Sequence, residues 1–410
     1  MSKTENHVYR KGLGLRKEIA PQIQRDYYSG VVSYLKAHDN ELAARGITLI
    51  LAREFGFCYG VERAVDYAYQ TRKKFPDRRI FLVGDMIHNP FVNRQLQKIG
   101  IEILPVPDSE NENYKFIRPE DVVVLPAFGV PVRTLDRLKQ QQCILVDTTC
   151  GSVISVWKRV EQYARDRFTV LIHGKYGHEE TRATVSHALK YPGGKYLVVL
   201  NKEEASLVCD WIRGRGDRDE FFRQFEKTVP PDFEPDRDLE KIGLANQTTM
   251  LRNESVEIAE MIRRAMIERY GEENLSEHFR NFDTVCSATQ DRQDAVIELV
   301  TKKKVDLMIV VGGFQSSNTG HLAEIAAAFV PTFHIESADM LIDRHTIHHR
   351  DPATGQIKTT QNWLPEPPLR IGLTAGASTP NSILGEVIER LSELVGIDLK
   401  EMFPEGKPAR

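Results

Sequence analysis

The chain lacks a long apolar run, a cysteine framework and a surplus of charge, and each lack excludes a class of protein. Across 410 residues no apolar stretch approaches the roughly 18 to 20 that a membrane span requires. The longest, 122–131, is already interrupted by Pro126, so no membrane association is expected. Lys and Arg number 55 against 58 Asp and Glu, a net charge of −3. A nucleic-acid binder needs a basic excess to neutralise phosphates, and none exists here. Cysteine is sparse and odd in number, five in all, which rules out a disulfide scaffold and makes a reducing compartment the default. The opening MSKTENHVYRKG has no apolar core and is neither Ser-rich nor acid-poor, so no secretory or transit signal is evident and a cytoplasmic location is expected. Also missing are paired CxxC knuckles, ferredoxin-type cysteine runs, a GxGxxG after a strand and a GxxxxGK[ST] loop. Any redox chemistry would therefore draw its electrons from another protein.

What is present is ordinary globular material, with 41% of residues in the AVILMFWYC set and 28% charged. The length suggests two or three domains at about 150 residues each. Apolar runs of strand length alternate with helical patterns, the βαβα order of α/β units with parallel sheets. Three cysteines share one place in that order. ITLILAREFGF leads to Cys58 and then a helical pattern. CILVDTT leads to Cys150 and a second, and FDTV leads to Cys286 and a third. A helix N-terminus carries partial positive charge and unpaired N–H groups. It favours the thiolate, which is the metal ligand and nucleophile. Cys143 begins an apolar strand and Cys209 lies inside the helical run EEASLVCDWI, so both read as small core residues.

These repeats set expected domain limits of 48–142, 143–252 and 253–398, with an N-terminal extension at 1–47 and a C-terminal tail at 399–410. The extension contains a helix-like stretch, RDYYSGVVSYLK. The segment 213–241 is charged and holds Pro230, Pro231 and Pro235, which reads as a solvated insertion in the second domain.

Each unit has two further strands that end in polar or small residues, and ligands of open α/β sheets bind beyond the carboxyl ends of strands. These ends carry His88 and Phe128, His178 with Glu180 and Thr248, and Ser316, Ser317 and Asn318 with Ser378. Packed around one axis, all three sets can face a single cavity. Three thiolates there suit an iron–sulfur cluster with one iron open, while three unrelated buried cysteines is the plainer alternative. SSN (316–318), after a Gly-Gly turn and before a helix, offers hydroxyls, an amide and free helix N–H groups to an anion. Ser378 precedes Thr379, a plausible N-cap, and Pro380 at the first helical position. A serine at such a point is commonly just a cap, and a lone histidine is commonly structural. Two such loops with His88 and His178 make a phosphate or diphosphate site the better reading. Glu180 can shuttle a proton or simply be solvated, and Thr248 can orient that proton or merely close a turn. HEETR is not HExxH, because position 182 is Arg182. His345, His348 and His349 lie beside RDPATGQIK, a hairpin pattern, and are not counted among the ligands.

Taken together, FGFCYGVERAV, MIHNP, VDTTCGSV, HGKYGHEET, NQTTM, TVCSATQDRQDA, GGFQSSNTGHLAE and TAGASTP resemble the 4-hydroxy-3-methylbut-2-enyl diphosphate reductases, the LytB family. The extension and the PAFG motif resemble the cyanobacterial and plastid branch. The resemblance runs over about 48–395 in the family's order. It implies a trefoil of three α/β domains around one [4Fe–4S] cluster per chain, held by Cys58, Cys150 and Cys286. It implies diphosphate contacts from His88, His178, Ser316, Ser317, Asn318 and Ser378, proton delivery by Glu180 and a hydrogen-bonding partner in Thr248. The reaction implied is the reductive dehydroxylation of an allylic diphosphate, the last step of the methylerythritol phosphate route, with a ferredoxin or flavodoxin as donor. One departure stands out. Many relatives have histidine where this chain has Phe128, and phenylalanine donates no hydrogen bond to phosphate. Two other classes compete: a non-redox iron–sulfur or zinc hydro-lyase or hydrolase on a phosphorylated substrate, and a cluster-bearing sensor without chemistry.

Overall fold

The computed structural model describes residues 8–105, 114–282 and 284–399. They form two compact units, one of 8–10 and 104–286, the other of 11–103 and 287–399. No helix among the described residues is long and apolar enough to cross a membrane.

The unit of 11–103 and 287–399 is built on a seven-stranded sheet. Its order is Ile357–Gln361, Thr346–Arg350, Thr332–Ile335, Leu307–Val311, Leu369–Ala375, Ile47–Leu51, Glu41–Ala44. The inner four strands are parallel, in register Met308↔Thr332, Leu307↔Ile371 and Leu369↔Ile47. Parallel strands are covered on both faces and so read as unbroken apolar runs, as LMIVV does. Alternate residues serve different layers. Leu49, Leu51, Ile309 and Val311 pack with Val32 and Leu35 of the helix Gly30–Ala37 and with Leu384 and Ile388 of Asn381–Val395. Ile50, Met308 and Val310 pack with Val296 and Leu299 of Ser287–Thr301 and with Leu322 and Ala326 of Ser317–Ala327. Two antiparallel additions flank these strands: Glu41–Ala44 at one edge and the hairpin of Thr346–Arg350 and Ile357–Gln361 at the other.

The unit of 8–10 and 104–286 has a parallel four-stranded sheet in the order Phe279–Asn281, Ile242–Asn246, Thr169–His173, Tyr196–Val199. It also holds the parallel pair Val122–Leu125 and Ile144–Asp147, with Val8–Tyr9 added beside the latter.

Four details depart from the sequence reading. The segment 213–241 is not a solvated insertion. Its helix Arg218–Phe225 buries Phe221 and Phe225, and Phe233 joins them against Trp211 in the core of the unit. The charges lie between aromatics spaced one helical turn apart, so composition hid an amphipathic helix. The strand before Cys286 is Phe279–Asn281, three residues upstream of FDTV; of that motif Asp283 lies outside the described residues. The last helix starts at Asn381 with Pro380, not Thr379, at the N-cap. RDYYSGVVSYLK is broken at Tyr28–Ser29, where Ser29 Oγ accepts from Val32 N (3.4 Å) and starts a second helix.

Candidate active site

Cys58 and Cys150 sit at the N-caps of the helices Tyr59–Lys74 and Gly151–Arg165, and Cys286 directly precedes Ser287–Thr301. All three thiols are unbridged and half-buried. The other two differ. Cys143 and Cys209 are buried, and desolvation pushes their thiols up to about 11 and about 12. Burial favours the neutral thiol, which is a poor ligand, so these two are packing residues, as their sequence context suggested.

Each of the three cysteines is tied by its backbone to a neighbouring loop. Within 104–286, Cys286 N donates to Thr248 O (3.2 Å) and Cys150 N donates to Ala127 O (2.9 Å). Thr248 in turn grips Glu180 at both oxygens. Its N–H donates to Oε1 at 2.7 Å and its hydroxyl to Oε2 at 2.9 Å. Glu180 is 1% exposed. A buried carboxyl must be hydrogen-bonded or neutral, and here one residue supplies both donors. Glu180 belongs to the first turn of the helix Glu179–Ala188, capped by His178, whose Nδ1 accepts from Glu180 N (3.2 Å). An accepting Nδ1 leaves the ring proton on Nε2 in the neutral tautomer.

Phe128 stands edge-on to this histidine, ring centroids 5.4 Å apart. The aromatic thus packs against the His178 imidazole, a contact it makes without any hydrogen-bonding group of its own. The adjacent Gly129 (φ +73°) permits this turn, since a Cβ there would lie 2.1 Å from Trp157 Cη2. Gln247 had no role in the sequence reading although it sits in NQTTM. Its Oε1 accepts from Lys175 N (3.0 Å) and Thr181 Oγ1 (3.2 Å), and its Nε2 donates to Thr249 (2.7 Å), so it staples the His178 loop to the Thr248 turn.

Within 11–103 and 287–399, Cys58 N donates to Ala377 O (3.1 Å), beside Ser378. Ala377 N donates to Asn318 Oδ1 (2.8 Å), and Ser378 Oγ donates to Ser316 Oγ (3.3 Å). Ser316 caps the helix Ser317–Ala327 through Thr319 N (3.3 Å), so its role as a cap is confirmed without excluding a ligand. Asn318 is different. Its amide nitrogen is buried with no acceptor among the described residues. Buried donors are nearly always satisfied, and this one lies at a helix N-terminus, the natural place for an anion. The donor set therefore fits a phosphate group. His88 belongs to the same neighbourhood: a Cβ on Gly313 would lie 2.4 Å from His88 O. Asn89, the next residue, caps the helix Pro90–Lys98.

Arg292 is a further residue the sequence did not reveal. It is 5% exposed. Its Nε and one terminal nitrogen donate to Gly56 O (3.1 and 2.8 Å), and that terminal nitrogen also reaches Phe57 O at 3.2 Å. The guanidinium thus fixes the turn that delivers Cys58. R292M takes the charged donor from three carbonyls, Gly56 O, Phe57 O and Ala288 O, a loss of about 3 kcal/mol. The expected result is a fall of several degrees in melting temperature, with R292K recovering part; unchanged melting of R292M would show the contact to be idle.

The comparisons agree with this geometry. The family model for LytB protein matches residues 49–392. A 4-hydroxy-3-methylbut-2-enyl diphosphate reductase of Thermosynechococcus vestitus is 46% identical over 95% of this chain and 95% of its own. That of Gloeobacter violaceus is 44% identical over 95% and 93%. A solved (E)-4-hydroxy-3-methyl-but-2-enyl diphosphate reductase matches with TM-score 0.50 and 26% identity, covering 84% of this chain and 99% of that one. The Plasmodium falciparum enzyme structure shares the fold, with TM-score 0.60 and 21% identity over 84% and 87%. The motif order, the loops that tie down three cysteines and a family match across most of the length lead to one assignment: the chain belongs to the LytB family.

Proposed function

We propose that this chain reduces 4-hydroxy-3-methylbut-2-enyl diphosphate to isopentenyl and dimethylallyl diphosphate, the closing step of the methylerythritol phosphate route. The observation that carries the reading is Thr248, which holds both oxygens of the buried Glu180 carboxyl and receives the Cys286 N–H on its own carbonyl. A proton donor is thereby built onto the turn of a cysteine that suits metal ligation.

Cys58, Cys150 and Cys286 would hold the cluster, and the three domains proposed at 48–142, 143–252 and 253–398 would contribute one thiolate each. A [4Fe–4S] cluster with an open iron would relay the two electrons of the external donor one at a time and would supply Lewis acidity toward the substrate oxygen. The chain's own residues do the rest. Ser316, Ser317, Asn318 and Ser378, with His88 and His178, bind the diphosphate, which does not react and serves to position the allylic carbon. Glu180 gives a proton to the departing oxygen, so the C–O bond breaks with loss of water rather than hydroxide. Thr248 keeps that carboxyl in place. The second proton goes to carbon, at one or the other end of the allylic system, and its site decides the product. A ferredoxin or flavodoxin in the cytosol is the proposed donor, supported by the lack of nucleotide-binding motifs.

The test is anaerobic purification, iron and sulfide analysis, and an assay of the allylic diphosphate with a strong reductant. About four irons per chain are expected, with water loss that requires the reductant. Turnover without reductant would favour the hydro-lyase reading, cluster without turnover the sensor, and zinc in place of iron would overturn the cluster assignment.

A further inference from the structure

The hairpin of Thr346–Arg350 and Ile357–Gln361 reads in the sequence as a hairpin pattern with three nearby histidines, and among the described residues these form no metal-type cluster. His349 is buried with Nε2 2.8 Å from Thr360 Oγ1, and Phe333 stands edge-on to its ring. What the hairpin does reach is the loop between the strand Leu307–Val311 and the helix Ser317–Ala327. That loop opens with two glycines that admit no side chain. A Cβ would lie 2.4 Å from Thr379 Oγ1 at Gly312 and 2.4 Å from His88 O at Gly313. Glycine confers fit at the cost of stiffness, so the loop must be held from outside.

Three side chains hold it. His334, 1% exposed, lies with Nε2 2.9 Å from Gly312 O. Burial keeps this imidazole neutral, its pKa pushed down to about 4, and a contact with a carbonyl puts the proton on Nε2. Glu336 Oε1 accepts from Phe314 N (2.7 Å), and Arg350 donates to Phe314 O (2.7 Å). The same guanidinium donates through Nε to Gly355 O at 2.9 Å, closing the hairpin turn. Asp351 stiffens that turn by accepting from Ala353 N and Thr354 N (2.9 and 2.8 Å) and by pairing with Lys358. Register places Arg350 opposite His334, so two of the clamps face each other across neighbouring strands.

We propose that this hairpin braces the anion loop, and that Arg350 is the positioning residue through which it sets Ser316, Ser317 and Asn318 against the diphosphate. Only a planar fork serves both carbonyls at once; a lysine ammonium would reach one of them. The inference rests on the reading of that loop as the diphosphate site, and the test separates the two. In the cluster-loaded protein, R350Q should raise KM for the allylic diphosphate about tenfold while kcat stays within about twofold, because the lost interaction is one of ground-state binding. Competitive inhibition by inorganic pyrophosphate should weaken by the same factor, and R350K should fall between. N318A should raise both constants as well. If N318A changes neither, the diphosphate reading fails. If N318A raises them and R350Q does not, the brace alone is overturned. An R350Q variant that loses kcat and iron together with KM would mark a general structural role and also overturns it. Should R350Q not fold, R350K and E336Q, which loosens the same Phe314 peptide from its other side, decide the matter by the same split.

Discussion

Cys150→Ala is expected to abolish turnover and cut the iron bound per chain to a small fraction of the wild-type value. The fold should survive. The Cys150 backbone is set by its N–H bond to Ala127 O (2.9 Å) and by its place at the start of the helix Gly151–Arg165, neither of which involves sulfur. Only the thiolate is removed, and with it one of the three proposed cluster ligands. The two other thiols cannot substitute, since burial holds Cys143 and Cys209 in the protonated form. The contrast variant is therefore Cys209→Ala, in the core with Val208 and Trp211. It should cost on the order of 1 kcal/mol of packing and leave iron and turnover as they were. Iron, sulfide and the visible absorption of the anaerobically purified variants measure this directly. Wild-type iron content in Cys150→Ala, or loss of iron in Cys209→Ala, would reverse the division of the five cysteines.

The contrast in burial between the two sets of cysteines was legible in the sequence because it depends on local order. A thiol between a strand and a helix meets the same field wherever it occurs, and the pattern repeated three times. The polar loops were legible for the same reason: SSN and the Ser378 turn each lie at one strand end. What escaped is of two kinds. Residues that act across the chain leave no local trace. Arg292 supports Gly56 across 236 positions, and Arg350 reaches Phe314 from a hairpin that local pattern could only call an insertion. Composition also misled where charge and aromatics interleave, as in the helix Arg218–Phe225, whose buried face is Phe221 and Phe225. Phe128 is an intermediate case. Its chemistry announced the loss of a hydrogen bond, but its edge-on contact with His178 spans 50 positions and left no local trace.

Glu180→Gln should keep the cluster and lose most of the rate, by about a hundredfold to ten-thousandfold, the range for a positioned general acid. Glutamine is nearly isosteric, but the pocket presents two donors to this side chain: Thr248 N–H at 2.7 Å and Thr248 Oγ1 at 2.9 Å. The amide oxygen can keep one of these bonds. The amide NH₂ now faces the other donor, unless the threonine hydroxyl rotates to accept from it. The proposed diphosphate contacts are other side chains, so KM should change little while kcat falls, the signature of a group needed only in the transition state. Thr248→Val tests the same idea from the partner's side. It deletes the hydroxyl but keeps the backbone N–H to Glu180 and the carbonyl that receives Cys286 N. Iron content should be normal and kcat lowered, by less than in Glu180→Gln because the acid itself remains. The two substitutions touch one interaction, so their combined effect should fall short of the product of the separate ones. Full additivity would mean that Glu180 and Thr248 serve the reaction independently, and an unimpaired Glu180→Gln would move the proton source elsewhere in the site.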